Sequence, residues 1–387
     1  MLVANYIILA IIIIALGILY QKFCEKQVSL AGMSNDNYNE IRKYLLNDSF
    51  NESALANSKK PILWIHVPYE YNSRNWSSFG SRSSFDLNQP YLYLTVKSII
   101  AQNDQSFHIV IIDDTSFDKL LPNWSVNLSV ISDPILMYMR QLALAKLIHV
   151  YGGINVPISF LCKSDLIGLY EKGTNDDTMF VCENVNTNVT ATNDMFYSDA
   201  RFMGAKKNNE MIQQYIHHIQ QLVSTDYTAE AEFTGGYNKW INDRTAGKGR
   251  CRGIRLIPGT DVGTKTIDEE PVIIDNLLNQ NYIRFYENSY GIWIPADQIL
   301  KRNNYEWFAR LSQKQIFESD TILAKYIILT VAPNISVNVN DNNSNSLLPN
   351  WVSFWRVPAT NGTLNVYGHM PSGLGDNVRQ SSSTGSY

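Results

Sequence analysis

Two carboxylates, Asp113 and Asp114, stand at the end of the apolar run HIVII. Such a run predicts a parallel strand that is buried on both faces, here over 108–113. Ligands of open α/β sheets bind beyond the carboxyl ends of such strands. Asp113 and Asp114 are therefore candidate contacts for a ribose or a base. A second interpretation stays open, in which Asp113 caps the helical turn predicted at 116–121.

Candidate cations lie in a polar loop, residues 68–89, that follows the predicted strand Pro61–Val67. Long loops after a strand often line a binding site. Arg74 and Arg82 are placed to meet a phosphate there, and solvated loop arginines are an equally open interpretation. The basic segment 246–263 contains neither a G-x-x-x-x-G-K-[ST] nor a G-x-G-x-x-G pattern, so it predicts a solvated or partner-facing loop.

The elements that position these residues alternate along the chain. Apolar residues at helical spacing predict an amphipathic helix over 134–150, which the paired glycines Gly152 and Gly153 end. The extended run 154–160 follows, with Pro157 inside it. Strand, helix and strand thus alternate from Pro61 to Phe160, which predicts a parallel α/β sheet. Further elements are predicted as strands at 126–132, 180–183 and 202–205, a helix at 209–222 and a turn at 235–236.

The composition excludes several classes of protein. The chain has 387 residues and a net charge of −4, so no basic surface indicates a nucleic-acid partner. Its four cysteines include no close pair, which excludes a C-x-x-C site and a disulfide framework.

Residues 4–20 form a nearly continuous apolar run close to the length that spans a bilayer. They predict a transmembrane anchor within residues 1–22, in contact with the lipid bilayer. Lys22 and Lys26 follow the run and no Lys or Arg precedes it, which favours a soluble domain on the cytosolic side. Several Asn-x-Ser/Thr sequons favour a lumenal domain instead, and the frequency of asparagine explains them more simply.

The remaining boundaries follow from composition. Residues 23–60 read as a polar linker, residues 61–334 as the α/β domain and residues 335–387 as an Asn/Ser/Gly-rich tail. The tail holds an aromatic island, Trp351–Val357, which is typical of a segment that docks on a neighbouring protein.

Four segments between Pro61 and Gly236 resemble the glycosyltransferases of family 32, which carry a DXD sugar-binding region. They are the opening strand with His66, the segment HIVIIDD, the helix that runs into YGGI, and FMGAKKNN before a long helix. The resemblance implies a GT-A-like fold, an open and mostly parallel sheet with helices on both faces, behind the transmembrane helix. It implies a substrate site whose candidate residues here are His66, Arg74, Asp113, Asp114, Gly152, Gly153, Asn155 and Ser159.

The sequence departs from the family where the metal would bind. The family's two carboxylates hold a divalent cation that stabilises the leaving diphosphate, and the matching positions here are Pro157 and Ser159. The family's helix bears an Asp and an Arg that match Gln141 and Leu144. No Asp or Glu lies between Asp133 and Asp165. No metal, cofactor or catalytic residue is therefore predicted.

Two functions stay open. One is a membrane-anchored, non-catalytic scaffold or binding protein. The other is a metal-independent glycosyltransferase that moves a sugar from a nucleotide-sugar to a glycan or protein, with Arg74, Arg82, Arg140 and the basic cluster 248–255 as cations and Asp194 or Asp199 as base. The anchor, the Asn/Ile bias and the altered segment also look like a membrane-associated virion protein of a large double-stranded DNA virus.

Overall fold

The computed structural model describes residues 44–45, 58–68, 89–187, 195–225, 230–245, 253–302 and 304–331. The chain divides into two compact units, residues 1–45 and residues 46–387, and all strands and helices named here belong to the second. The predicted anchor, most of the predicted linker, Arg74, Arg82 and the tail lie outside the described residues. None of the described helices is long and apolar enough to cross a membrane.

The strands of the described residues are β1 (Ile62–His66), β2 (His108–Ile112), β3 (Gly153–Asn155), β4 (Phe160–Cys162), β5 (Met179–Val185), β6 (Phe196–Ala205), β7 (Ile254–Ile257) and β8 (Gly291–Trp293).

The α-helices of the described residues are α1 (Pro90–Asn103), α2 (Ser116–Leu120), α3 (Ile135–Tyr151), α4 (Ile167–Thr174), α5 (Glu210–Ser224), α6 (Glu230–Thr245), α7 (Gly259–Val262), α8 (Ile274–Leu277), α9 (Ala296–Lys301), α10 (Glu306–Ala309), α11 (Gln313–Phe317) and α12 (Ile322–Val331).

Six strands form one sheet in the order β2-β1-β3-β6-β5-β7. β1 pairs in parallel with β2 and β3, and β5 pairs in parallel with β7, whereas β6 is antiparallel to both of its neighbours. Within the described residues, β4 and β8 form a separate antiparallel pair. The prediction of a mixed α/β fold with a mostly parallel sheet is confirmed.

Successive side chains of a strand point to opposite faces of a sheet. Helices cover the side chains on both faces of this one. Val181 of β5 belongs to an apolar core that also contains Ile148 of α3, Ile212 of α5 and Ile241 of α6. Its neighbour Phe180 packs against Gly173 of α4 on the other face. A second core joins α1, β4 and β8 to the C-terminal helices.

Helix α3 is central rather than amphipathic. All five residues from Gln141 to Ala145 are buried, because α3 packs against both the sheet and α5. α5, by contrast, lies where the sequence predicts a helix and buries a single apolar stripe. The side chain of Asn209 begins α5 by accepting hydrogen bonds from the backbone N–H groups of Met211 and Ile212, at 3.0 and 3.1 Å.

Three local predictions were wrong. Residues 126–132 hold a 3₁₀ turn, Leu128–Val130, since the side chain of Asn127 accepts a hydrogen bond from Ser129 N–H and bends the chain. The run 154–160 divides between β3 and β4 and two different sheets, since Pro157 has no N–H to continue a ladder. Gly235 and Gly236 lie inside α6, where Gly236 lets the helix approach Leu222.

Gly153→Ala tests the spacing of the central strands. Gly153 has a φ of +103°, and an added Cβ would lie 2.1 Å from the carbonyl oxygen of Ile62 in β1. We expect the substitution to lower the free energy of unfolding by about 3 kcal/mol or more, through backbone strain and separation of β1 from β3. Urea unfolding followed by tryptophan fluorescence measures the change.

Gly168→Ala is the matched control. Gly168 lies in α4 without a positive φ, and its added Cβ would first meet the end of a side chain, the Tyr290 hydroxyl, at 3.0 Å. We expect a change of no more than about 1 kcal/mol. Equal effects of the two substitutions would contradict the proposed role of the β1–β3 spacing.

Candidate functional site

His66, Asp114 and Arg140 meet at the carboxyl edge of β1 and β2. Asp114 follows β2, and Arg140 reaches it from the first half of α3. Arg140 donates from Nε to Oδ1 at 3.0 Å and from Nη2 to Oδ2 at 2.6 Å, while His66 Nε2 lies 2.8 Å from Oδ1. The Asp114 side chain is only 13% exposed. We call these three residues the Asp114 cluster.

The Asp114 carboxylate is held ionised by its partners. Burial alone would raise its pKa, but the hydrogen bonds from His66 and Arg140 and the electrostatic attraction to these partners more than offset burial, so the pKa is lowered. Both oxygens of the carboxylate are bound to side chains. The cluster therefore fixes α3 against the ends of β1 and β2.

Asp113 makes the contacts of a cap. Its Oδ1 accepts hydrogen bonds from the backbone N–H and the hydroxyl of Thr115 and from those of Ser116, at 2.7–3.0 Å. These contacts begin α2 and agree with the capping interpretation. A contact between Asp113 and a ligand stays a prediction.

A second group of charges surrounds the start of β6. Asp199 is fully buried and accepts hydrogen bonds from Asn184 Nδ2 at 2.9 Å, Tyr197 Oη at 2.8 Å and Arg201 Nη2 at 2.7 Å. Arg201 also donates from Nη1 to Asp297 Oδ2 at 2.7 Å. One guanidinium is thus shared by two carboxylates. We call Asp199, Arg201 and Asp297 the Arg201 cluster.

Burial and charge act in opposite directions on Asp199. Burial would raise its pKa, but the positive charge and hydrogen bonds of Arg201 outweigh burial and lower the pKa. The pKa of Tyr197 is raised well above its ordinary value, first by burial and then by the charge of Asp199. At neutral pH the neutral phenol therefore donates to an ionised carboxylate.

A pocket opens beside the Arg201 cluster. Its polar lining includes Ser159, Asn184, Tyr197, Arg201, Asp297 and Gln298, and its apolar lining includes Val185, Val272, Trp293 and Ile294. Arg201 lies over the Trp293 ring, 5.7 Å from the centroid. We call this the Arg201 pocket.

The two clusters are linked through the backbone of β6. Gln141, next to Arg140 in α3, donates to the carbonyl of Ala200 at 3.0 Å. Asn155 of β3 donates to the carbonyl of Arg201 at 2.7 Å. The structure thus brings the ends of β1, β2 and β3 and the start of β6 to one edge of the sheet.

The turn at Pro157–Ser159 does not fit a divalent metal. Its carbonyl oxygens accept hydrogen bonds from Phe160 N–H at 3.0 Å, from the Thr95 hydroxyl and from Ile294 N–H at 3.1 Å. Ser159 supplies the turn's one polar side chain, a neutral hydroxyl, where Mg²⁺ and Mn²⁺ prefer carboxylates. In the described part of the chain, no three His, Cys, Asp or Glu side chains are grouped to hold a metal ion.

The predicted site residues separate into two groups. His66, Asp114, Asn155 and Ser159 lie at the carboxyl edge, whereas Gly152 and Gly153 lie at the other end of β3. There the Trp64 indole donates to the Gly152 carbonyl at 3.0 Å, and Gly153 lies against Ile62. The role of the two glycines in substrate binding stays a prediction, as does that of Arg74.

Of the Arg201 cluster, Arg201 and Asp297 were not among the residues predicted from the sequence. Asp199 and Arg201 have opposite charge at i and i+2 on one strand, a spacing that puts both on the same face, and this signal was available. Asp297 lies 96 residues further along the chain than Arg201. No local pattern connects it to β6.

Comparison with known proteins finds only weak structural similarity. No protein-family model matches the chain, and no curated protein matches it. A solved structure of an active-site mutant of LgtC is 12% identical, with 51% of this chain and 73% of that chain covered and a TM-score of 0.28. Galactosyltransferase LgtC in complex with donor and acceptor sugar analogs is 12% identical, with 51% and 74% covered and a TM-score of 0.27. Identities and TM-scores this low do not establish the family or the function of this chain.

Arg140→Met tests the Asp114 cluster. Removing the arginine leaves a largely buried carboxylate with His66 as its remaining partner in the cluster, and we expect the free energy of unfolding to fall by about 3 kcal/mol. Adding Asp114→Leu removes the carboxylate that has lost its arginine partner, and should restore at least about 1 kcal/mol of the free energy of unfolding. Urea unfolding of both single variants and the double variant completes the cycle.

Arg284→Met provides the control, because Arg284 forms an exposed ion pair with Asp268 at 3.0 Å. We expect this change to cost no more than about 1 kcal/mol. If Arg140→Met were as mild, the Asp114 cluster would not fix α3.

The lowered pKa values of Asp114 and Asp199 predict acid sensitivity. A carboxylate with a lowered folded-state pKa contributes stability above its unfolded pKa, about 3.9, and that contribution is lost as pH falls through the folded-state value. We therefore expect the urea midpoint to fall as pH decreases from about 5 to about 3. The urea midpoint of Asp114→Asn should fall less over this pH range than that of the unchanged chain. A midpoint that stays constant over this range would refute the prediction.

Proposed function

We propose that this chain is a membrane-anchored protein with a glycosyltransferase-like domain that serves as a non-catalytic scaffold or binding component. The order of the elements supports the likeness to the GT-A type. β1 ends at His66, β2 runs into Asp113 and Asp114, and α3 leads through YGGI into β3. β6 then passes through a turn with Lys206 and Lys207 into the long helix α5. Four of these strands are neighbours in one sheet.

The observation that carries the non-catalytic proposal is the chemistry of the Pro157–Ser159 turn. The family's two carboxylates are replaced by a proline and a neutral hydroxyl, and the carbonyls of the turn accept hydrogen bonds from within the protein. Stabilising a leaving diphosphate requires positive charge at this place. The turn supplies none.

A metal-independent transferase would need free cations at the same edge. Arg140 is bound to Asp114, and Arg201 is bound to Asp199 and Asp297. Arg255 donates to the carbonyl of Lys172 at 2.7 Å, before β5 begins and so at the other edge of the sheet. Arg74, Arg82 and residues 248–252 lie outside the described residues. Because these described arginines are paired with carboxylates or lie at the other edge, they favour a non-catalytic binding protein over a metal-independent transferase.

The properties of Asp199, one of the two predicted bases, also favour a binding protein over an enzyme. Asp199 is buried, bound by three side chains and has a lowered pKa, so it accepts a proton poorly at neutral pH. Asp194 lies outside the described residues. The anchor, a cytosolic domain and a place in a virus particle remain parts of the proposal that rest on the sequence.

Calorimetric titration tests the proposal. The full-length chain in detergent is titrated with UDP, GDP and their sugar conjugates, with and without Mn²⁺. We expect Mn²⁺ to leave any binding unchanged, because the turn provides no carboxylate. Nucleotide binding that strengthens with Mn²⁺, or turnover of a nucleotide-sugar, would refute the non-catalytic proposal. Metal-independent micromolar binding followed by transfer would establish the alternative enzyme.

The double variant Pro157→Asp/Ser159→Asp is the matched control. It places two carboxylates where the family resemblance puts the metal ligands, so we expect it to gain Mn²⁺ binding that the parent chain lacks. Absence of that gain in a folded variant would show that Pro157 and Ser159 are not the matching positions.

A further inference from the structure

The Arg201 pocket contains a buried acceptor that has no donor. Gln298 is one of the residues that line the pocket, it is 8% exposed, and within the described residues its buried Oε1 atom accepts no hydrogen bond. Asn155, whose Nδ2 binds the carbonyl of Arg201, likewise has an Oδ1 without a donor there. Buried acceptors are costly to leave unsatisfied, so an unmatched oxygen on a residue that lines a pocket indicates a donor from a ligand.

Asp297 adds a second acceptor to the same pocket. Its side chain is 59% exposed, and it binds Arg201 through Oδ2. Within the described residues, its Oδ1 has no hydrogen-bond donor. Asp297 and Gln298 are adjacent in α9, and the Ser159 hydroxyl lines the same pocket. Three residues with side-chain oxygens, from two chain segments, thus line one pocket.

The charge of the Arg201 cluster is unbalanced. Two carboxylates, Asp199 and Asp297, share the single guanidinium of Arg201. The neighbouring ion pair of Glu183 and Lys265, at 3.0 Å, is neutral as a whole. Among the described residues, the Arg201 cluster therefore carries one excess negative charge, which attracts a cation and opposes an anion.

We propose that the Arg201 pocket binds a protonated primary amine. An ammonium group has three donors and no acceptor, which matches the oxygens of Asp297, Gln298 and Ser159, and its charge neutralises the excess carboxylate. The apolar surfaces of Trp293 and Ile294 line the same pocket and suit an alkyl stem. The proposal goes beyond the proposed function and does not depend on it, because it concerns neither nucleotide nor metal.

Calorimetry with defined probes tests the inference on the full-length chain in detergent. The probe is Nα-acetyl-lysine amide, and Nα-acetyl-norleucine amide is the uncharged control of similar shape. We expect binding of the lysine probe alone. The binding should weaken as salt is raised from about 0.05 to 0.5 M, because salt screens the charge. It should be lost as pH rises through the amine pKa of about 10.4.

A further probe, n-butylamine, identifies the source of the amine. Equal affinity for n-butylamine and the lysine probe would indicate a free amine, and tighter binding of the lysine probe would indicate a lysine side chain of a protein. Glucose represents neutral hydroxyl ligands. Equal or tighter binding of glucose or of the norleucine probe would overturn the proposal, as would no binding of either amine at millimolar concentration.

Variants of two lining residues locate the site. We expect Asp297→Asn and Gln298→Leu each to weaken the lysine probe about tenfold or more, because each removes a hydrogen bond to a charged group. Gln298→Glu should strengthen binding by adding charge, which a folding defect would not do. Asp268→Asn removes an exposed carboxylate that is paired with Arg284 outside the pocket, and should leave the affinity unchanged. Unchanged affinity in both pocket variants would overturn the assignment.

Discussion

The close approach of β3 to β1 is the constraint on which the rest of the sheet depends. Gly153 lies so near Ile62 that a Cβ atom would occupy the space of the Ile62 carbonyl. Gly152, with a φ of +75°, ends α3 and turns the chain directly into the strand. The paired glycines therefore set where α3 lies on the sheet. That position in turn decides which residues of α3 reach the carboxyl edge, among them Arg140 and Gln141.

The reversed direction of β6 determines the chemistry of that edge. Because β6 runs antiparallel to β5, its first residue, Phe196, pairs with the last residue of β5, Val185, whereas β3 pairs with the last three residues of β6. Tyr197, Asp199 and Arg201 therefore lie at the carboxyl edge, where ligands of α/β sheets bind. A parallel strand with the same sequence would place them at the opposite end. The antiparallel strand thus adds a charged cluster to an edge that already contains Asp114.

The sequence predicted the elements whose patterns are local. β1, β2 and α5 were found within a few residues, because buried strands and a one-sided helix have distinct apolar patterns. The 3₁₀ turn at 128–130 was misread, because its apolar residues also fit a strand and the effect of Asn127 depends on a side-chain bond. The contact of Arg201 with Asp297 joins distant segments. Only the folded chain reveals such a cluster, so the candidate pocket lay beyond sequence reasoning.

The charge balance at the carboxyl edge connects the uncharged Pro157–Ser159 turn to the proposed ligand. In a site that binds a diphosphate, positive charge must exceed negative charge near the phosphates. Here the arginines of the two clusters are matched by carboxylates, and the Arg201 cluster has one carboxylate in excess. The Pro157–Ser159 turn has no carboxylate to hold a metal that would add positive charge, while Asp199 and Asp297 supply negative charge nearby. Among the described residues, this balance favours a cation over an anion as the ligand of the Arg201 pocket.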